Sequence, residues 1–212
     1  MTKNWGVALT VLVAVGAGFA QTSVAAVADG TVIAVVQSAE VDGQTGKLVL
    51  MPEAPIFSGD RIITGSVGQA QVKFRDDTRL VVGPNSMMVI DAFVFSGDGD
   101  VRDFSINAVR GAFRFITGNG PKDAYTINTP TATIGVRGTE FDFNIDAAGG
   151  TNVAVFEGTT RVCDKRRRTC VEQNAGCGIV AVAPGENPRT VTAMFEARGS
   201  SEISATSDRS VR

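Results

Sequence analysis

The chain has 212 residues, 43% of them hydrophobic and 20% charged, with a formal net charge of −2. That size fits one globular domain, and the charge balance lacks the basic excess that nucleic-acid binding requires. There is no His, which removes Ser-His-Asp and Cys-His catalysis, His-ligated zinc and His-based pH sensing.

Residues 1–26 read as a signal peptide. Lys3 supplies the positive start, Gly6 to Ala20 is an uncharged apolar run, and Val24-Ala25-Ala26 is an Ala-x-Ala-like cleavage site. The alternative is a retained N-terminal anchor, because the charge-free stretch continues to Ala28. Either way the body, residues 27–190, is expected outside the cytoplasmic membrane, in the periplasm or secreted.

From Gly30 the chain reads as strand after strand. Thr31 to Val36 and Lys47 to Met51 are short apolar runs. Ala70 to Arg75 alternates apolar and polar, which sends Ala70, Val72 and Phe74 to a core. Asp76-Asp77 turns the chain into Arg79 to Val82, and Gly83-Pro84-Asn85 turns it again into Met87 to Phe95. After a Ser96 to Asp100 turn, Phe104 to Ala108 and Gly111 to Ile116 read as a further pair.

Next comes a strand ending at Arg137-Gly138-Thr139, followed by a second alternating strand, with Phe141, Phe143 and Ile145 facing one way. Gly138 reads as a bulge. The 24 glycines among many Val, Ile, Phe and Thr predict short strands and sharp corners. The fold class is all-β, a sandwich or an irregular, solenoid-like β-coil, with no sustained helical period outside the leader. Two echoes stand out: Gly59 to Gly65 against Gly111 to Gly118, and Val109-Arg-Gly against Val136-Arg-Gly. Residues 191–212 read as a polar, disordered tail.

Cys163, Cys170 and Cys177 are evenly spaced. An exported chain meets oxidising conditions. Cys163 closes one strand and Cys170 opens the next, so the two are expected to pair across a hairpin, leaving Cys177 over. The spacing does not fit zinc, and no metal or other cofactor is expected.

Glu140 and Asp142 share a strand face, where they form an acid/base pair, a cation site or a solvated surface; the solvated surface is favoured. Arg137 is a candidate to hold Glu140 and lock the Gly138 corner, or to reach an anionic ligand; the structural role is favoured. Asp98-Gly99-Asp100 fails the calcium-loop pattern at Arg102. Arg161, Lys165, Arg166, Arg167 and Arg168 form a basic knot on the disulfide hairpin, suited to weak contact with an anionic surface. Phe dominates the aromatics, with one Tyr and one Trp, a profile of cores and not of stacking platforms.

Gly59-Asp-Arg-Ile-Ile-Thr-Gly65, Ala70 to Phe74 with Asp76-Asp77-Thr78, Gly83-Pro84-Asn85-Ser86, Gly111-Ala-Phe-Arg-Phe115 and Thr129 to Phe141 with its Arg137-Gly138-Thr139 corner together resemble a FecR domain. Val155-Phe-Glu-Gly158 and Pro184-Gly185-Glu186 extend the likeness, which spans residues 56–188. Asp77 stands where the family usually has Gly. The best-known members of that family place this domain in the periplasm, in a regulator that relays the state of an outer-membrane receptor to a cytoplasmic sigma factor. They carry a cytoplasmic helical segment and a membrane span before it, where this chain has the signal-like leader.

The resemblance therefore implies a stand-alone, exported, β-rich, non-enzymatic protein acting by contact with an envelope protein in signalling or regulation. No nucleic acid and no small-molecule substrate are expected. The alternative is a secreted structural or adhesive scaffold of the cell surface.

Overall fold

A computed structural model describes residues 27–43, 46–95, 101–176 and 178–191. The leader, the Ser96 to Asp100 turn, Cys177 and the tail beyond Val191 lie outside the described residues. The chain forms β1 (Gly30–Val36), β2 (Ala39–Gly43), β3 (Gly46–Val49), β4 (Pro55–Ile56), β5 (Arg61–Thr64), β6 (Gln69–Phe74), β7 (Arg79–Val82) and β8 (Met87–Phe95). It continues with β9 (Val101–Ile116), β10 (Tyr125–Asn128), β11 (Ala132–Ile145), β12 (Thr151–Asp164), β13 (Cys170–Asn174), β14 (Ile179–Val182) and β15 (Arg189–Val191). No helix occurs among the described residues.

All strands join one open, mixed sheet, in which β9 and β10 pair in parallel and the remaining pairs are antiparallel. Three long strands each belong to two neighbourhoods. The first half of β9 lies between β8 and β10, and its second half between β7 and β11. The first half of β11 lies between β10 and β12; its second half lies between β9 and β12. β12 pairs with β14 near its start and with β13 near its end.

The sheet is thereby folded into two layers. One runs β3-β2-β5-β8-β9-β10-β11-β12-β13, and the other β4-β1-β6-β7-β9-β11-β12-β14-β15. The all-β class expected from the sequence is observed, as one large open mixed sheet.

The alternation in the sequence sets the core. Ala70, Val72 and Phe74 of β6 are buried, as are Phe141, Phe143 and Ile145 of β11. Phe74 of one layer meets Phe93 and Phe104 of the other, with ring centroids 5.4 and 4.8 Å apart. Phe104 passes the contact on to Phe115 at 5.6 Å, and Phe115 to Phe141 at 5.6 Å. Each fully buried Phe contributes about 1.5–3 kcal/mol by leaving water, so this chain of rings fastens the layers together.

Two sequence expectations need correction. Phe104 to Ala108 and Gly111 to Ile116 are not a pair of strands but a single strand, β9. Gly111 stands at φ +104°, so the chain bends between layers without reversing. Likewise the segments either side of Arg137-Gly138-Thr139 form the single strand β11. Its register shifts between Arg137 and Glu140, with Gly138 at φ +62° as the bulge residue. The hairpin expected around the basic knot is present, and the Cys163–Cys170 disulfide joins β12 to β13 at directly opposed positions.

Candidate functional site

The Arg137-Gly138-Thr139 corner sits where β11 crosses between layers, and Thr139 locks it. Its N–H donates to the Thr117 hydroxyl at 2.9 Å, and its carbonyl accepts from the Thr117 hydroxyl and N–H at 3.0 Å each. The Thr139 hydroxyl donates to the Thr159 carbonyl at 3.1 Å and accepts from the Arg137 N–H at 3.3 Å. Facing it is Gly158 of β12, at φ +76°, with the Gly138 carbonyl where a Cβ would stand. Arg137 is exposed. Glu140 pairs instead with Arg114, at 3.7 Å, so the corner is held by hydroxyls and glycines.

The other motif segments form similar locks. Ser86, from Gly83-Pro84-Asn85-Ser86, is buried against Gly111 and occupies the volume a side chain there would need. Its hydroxyl accepts from the Ala112 N–H at 3.1 Å, while the Thr64 hydroxyl donates to the Gly83 carbonyl at 2.6 Å and accepts from the Ser86 N–H at 2.9 Å.

Asp76 is buried beneath the next turn. Its carboxylate receives the Thr78 N–H at 3.0 Å, the Thr78 hydroxyl at 2.6 Å and the Tyr125 hydroxyl at 2.7 Å. Tyr125 also accepts the Gly120 N–H at 2.8 Å. Burial, followed by the hydrogen bond to Asp76, pushes the Tyr125 phenol up to about 12. Asp77 stands at φ +68°, the left-handed conformation that explains why Gly suits that position and Asp can replace it.

Glu140 and Asp142 do share an outward face, as the alternation predicts. Arg114 of β9 spans them. Its Nε donates to Asp142 Oδ1 at 2.7 Å and its Nη2 to Asp142 Oδ2 at 2.9 Å. Asp142 is the first cause of the rise in the Arg114 titration, with a lesser push from Glu140. A carboxylate engaged by both arms of a guanidinium is a structural surface cluster, not a general base. The guanidinium also lies 5.1 Å from the ring centroid of Phe156, which is 53% exposed. Beside this pair a groove of about 510 Å³ crosses the outer face of the layer, lined by Val81, Ala112, Ala154 and Ile179 among others. The Arg114–Phe156 pair is invisible in the sequence, because it depends on how β9, β11 and β12 align.

The basic knot divides. Lys165, Arg166 and Arg168 line a second hollow, of about 650 Å³, at the disulfide hairpin. Arg167 stands at the turn with φ +54°, and Arg161 lies on β12 opposite Gly135 and Glu172. Neither lines the hollow. Among the described residues no cluster of His, Cys, Asp and Glu is arranged to hold a metal ion, and no helix is long and apolar enough to cross a membrane.

Two crystal structures of a provisionally assigned anti-sigma factor from Parabacteroides distasonis ATCC 8503 align with a TM-score of 0.49 at 14% identity. Each alignment covers 65% of this chain and 62% of the other. No curated protein matches the chain. The family model for FecR protein matches residues 60–161, a stretch that holds Thr64, Asp76, Ser86, Gly111, Thr139 and Gly158. The chain carries a FecR domain over those residues.

Proposed function

We propose that this protein is a non-enzymatic regulator of the bacterial envelope, exported by its leader and acting through contact with another envelope protein. The FecR domain at residues 60–161 carries the reading. The chemistry on the surface is consistent with it. The one carboxylate pair singled out by the sequence is held by Arg114, and the chain offers no His for nucleophilic or general-base work. Exposed Phe156 stacked on Arg114 combines the residue types enriched where proteins meet.

The test is an affinity capture using the full chain, oxidised, as bait against solubilised envelope proteins of its own host. A single protein retained in stoichiometric amount, and lost when the bait carries Phe156→Ala, supports the regulator. Retention of the bait by itself, or of nothing, supports the scaffold reading instead.

A further inference from the structure

The hollow at the disulfide hairpin lies largely beyond the FecR match and is built from four separate turns. Pro130-Thr131 precede β11, Ala148-Gly149 link β11 to β12, Asp164 to Thr169 form the β12–β13 hairpin, and Pro184 to Asn187 link β14 to β15. Residues this far apart in sequence enclose about 650 Å³, a size typical of small-ligand sites.

Three cations line the hollow: Lys165, Arg166 and Arg168. No ion pair among the described residues engages any of them. Both carboxylates at the hollow are already committed. Asp164 Oδ1 accepts the N–H groups of Arg168 at 2.6 Å and Thr169 at 2.9 Å. Those bonds, Thr169's foremost, hold the Asp164 carboxyl below the usual range and fix the turn that presents the cations. Glu186 pairs with Arg189 at 3.7 Å. The Cys163–Cys170 disulfide closes the base of the hairpin, so the cations project from a short, cross-linked loop. Asp164 and Glu186 also line the hollow, and the Asp164 carboxylate acts electrostatically on Arg168; three cations against two carboxylates still leave an excess of positive charge that favours an anion.

The geometry points to a binding site for a phosphate group. Two guanidiniums offer paired donors that match phosphate oxygens, and an ammonium adds a point charge. Thr131 and Asn187 also line the hollow, the Thr131 hydroxyl donating to the Gly149 carbonyl at 3.2 Å and sharing a hydrogen bond of 2.8 Å with the Thr151 hydroxyl. The phosphate belongs either to a small soluble ester or to a lipid headgroup, and the experiment separates these sources.

The full chain is titrated with inorganic phosphate by calorimetry. It is also sedimented with vesicles of phosphatidylglycerol and phosphatidylcholine, against vesicles of phosphatidylcholine alone. The same measurements are made on K165Q/R166Q/R168Q and on K47Q/R79Q/R102Q, which removes equal charge from elsewhere, each with circular dichroism to verify folding. Saturable phosphate binding that weakens about tenfold or more in the first variant, and is retained in the second, establishes the site with a soluble ligand. Vesicle binding alone, with the same contrast between variants, establishes it with a lipid headgroup. Absence of binding to both probes overturns the proposal, as does an equal loss in the two variants, which makes the effect one of net charge.

Discussion

Replacing Tyr125 with Phe tests the buried lock at Asp76 with little change in packing. The ring keeps its contacts with Phe104 and Phe115, at centroid distances of 5.7 and 6.0 Å. The hydroxyl takes with it one donor to the Asp76 carboxylate and the acceptor of the Gly120 N–H. A hydrogen bond to a charged group contributes about 1.5–3 kcal/mol and a neutral one about 0.5–1.5 kcal/mol, so the expected loss is about 2–4 kcal/mol.

Urea unfolding followed by far-ultraviolet circular dichroism measures it. With a slope of roughly 2 kcal/mol/M, the midpoint falls by about 1–2 M. The pH dependence supplies an independent check. The folded pKa of Tyr125 is raised from 10.0 to about 12, so its stabilisation is complete below pH 10 and is lost as pH rises through about 12. The gap between wild type and variant therefore narrows above pH 10. Tyr125 is the only Tyr in the chain, so phenolate absorbance reports it directly: near pH 10 when unfolded, near 12 when folded. A stability loss below about 0.5 kcal/mol, the range of ordinary surface substitutions, refutes the reasoning.

Gly158→Ala places a methyl group against the Gly138 carbonyl at φ +76°, and is expected to cost about 3 kcal/mol or more in thermal or urea unfolding. Thr139→Val keeps the shape but strands the Thr159 carbonyl and the Arg137 N–H; it is expected to cost about 1–3 kcal/mol by the same assay. Reducing the Cys163–Cys170 bridge, whose cysteines are 7 residues apart, is expected to lower stability by about 2–3 kcal/mol in unfolding measured with and without reductant.

Much of the layered fold was legible in strands with one wet face. The Ala70–Phe74 and Phe141–Ile145 alternations report burial directly, and both segments face the core. The disulfide was legible because two strand-like runs flank a polar turn. Other elements left weaker traces. β10 is a four-residue strand whose parallel pairing with β9 is set by tertiary packing, and β14 follows a turn with little alternation of its own.

The bends at Gly111 and Gly138 read as breaks between separate strands, because a bulge and a turn both place Gly at positive φ; the bulge expected at Gly138 is present, inside the single strand β11. The repeated Val-Arg-Gly at 109–111 and 136–138 marks those bends: both glycines adopt positive φ where a long strand passes between layers. The two surface features were least legible. Arg114 meets Phe156, and Lys165 comes to line one hollow with the Pro130 and Pro184 turns, only through strand register and loop convergence.

The central claim, regulation by a FecR-domain protein, is tested most directly in its host by comparing transcripts of wild type, a deletion strain, and a strain carrying Phe156→Ala at normal protein level. The account predicts that one defined gene set shifts in the deletion strain and shifts the same way in the point variant. An unchanged transcript profile, accompanied by altered surface integrity or adhesion in the deletion strain, would contradict it and favour the scaffold.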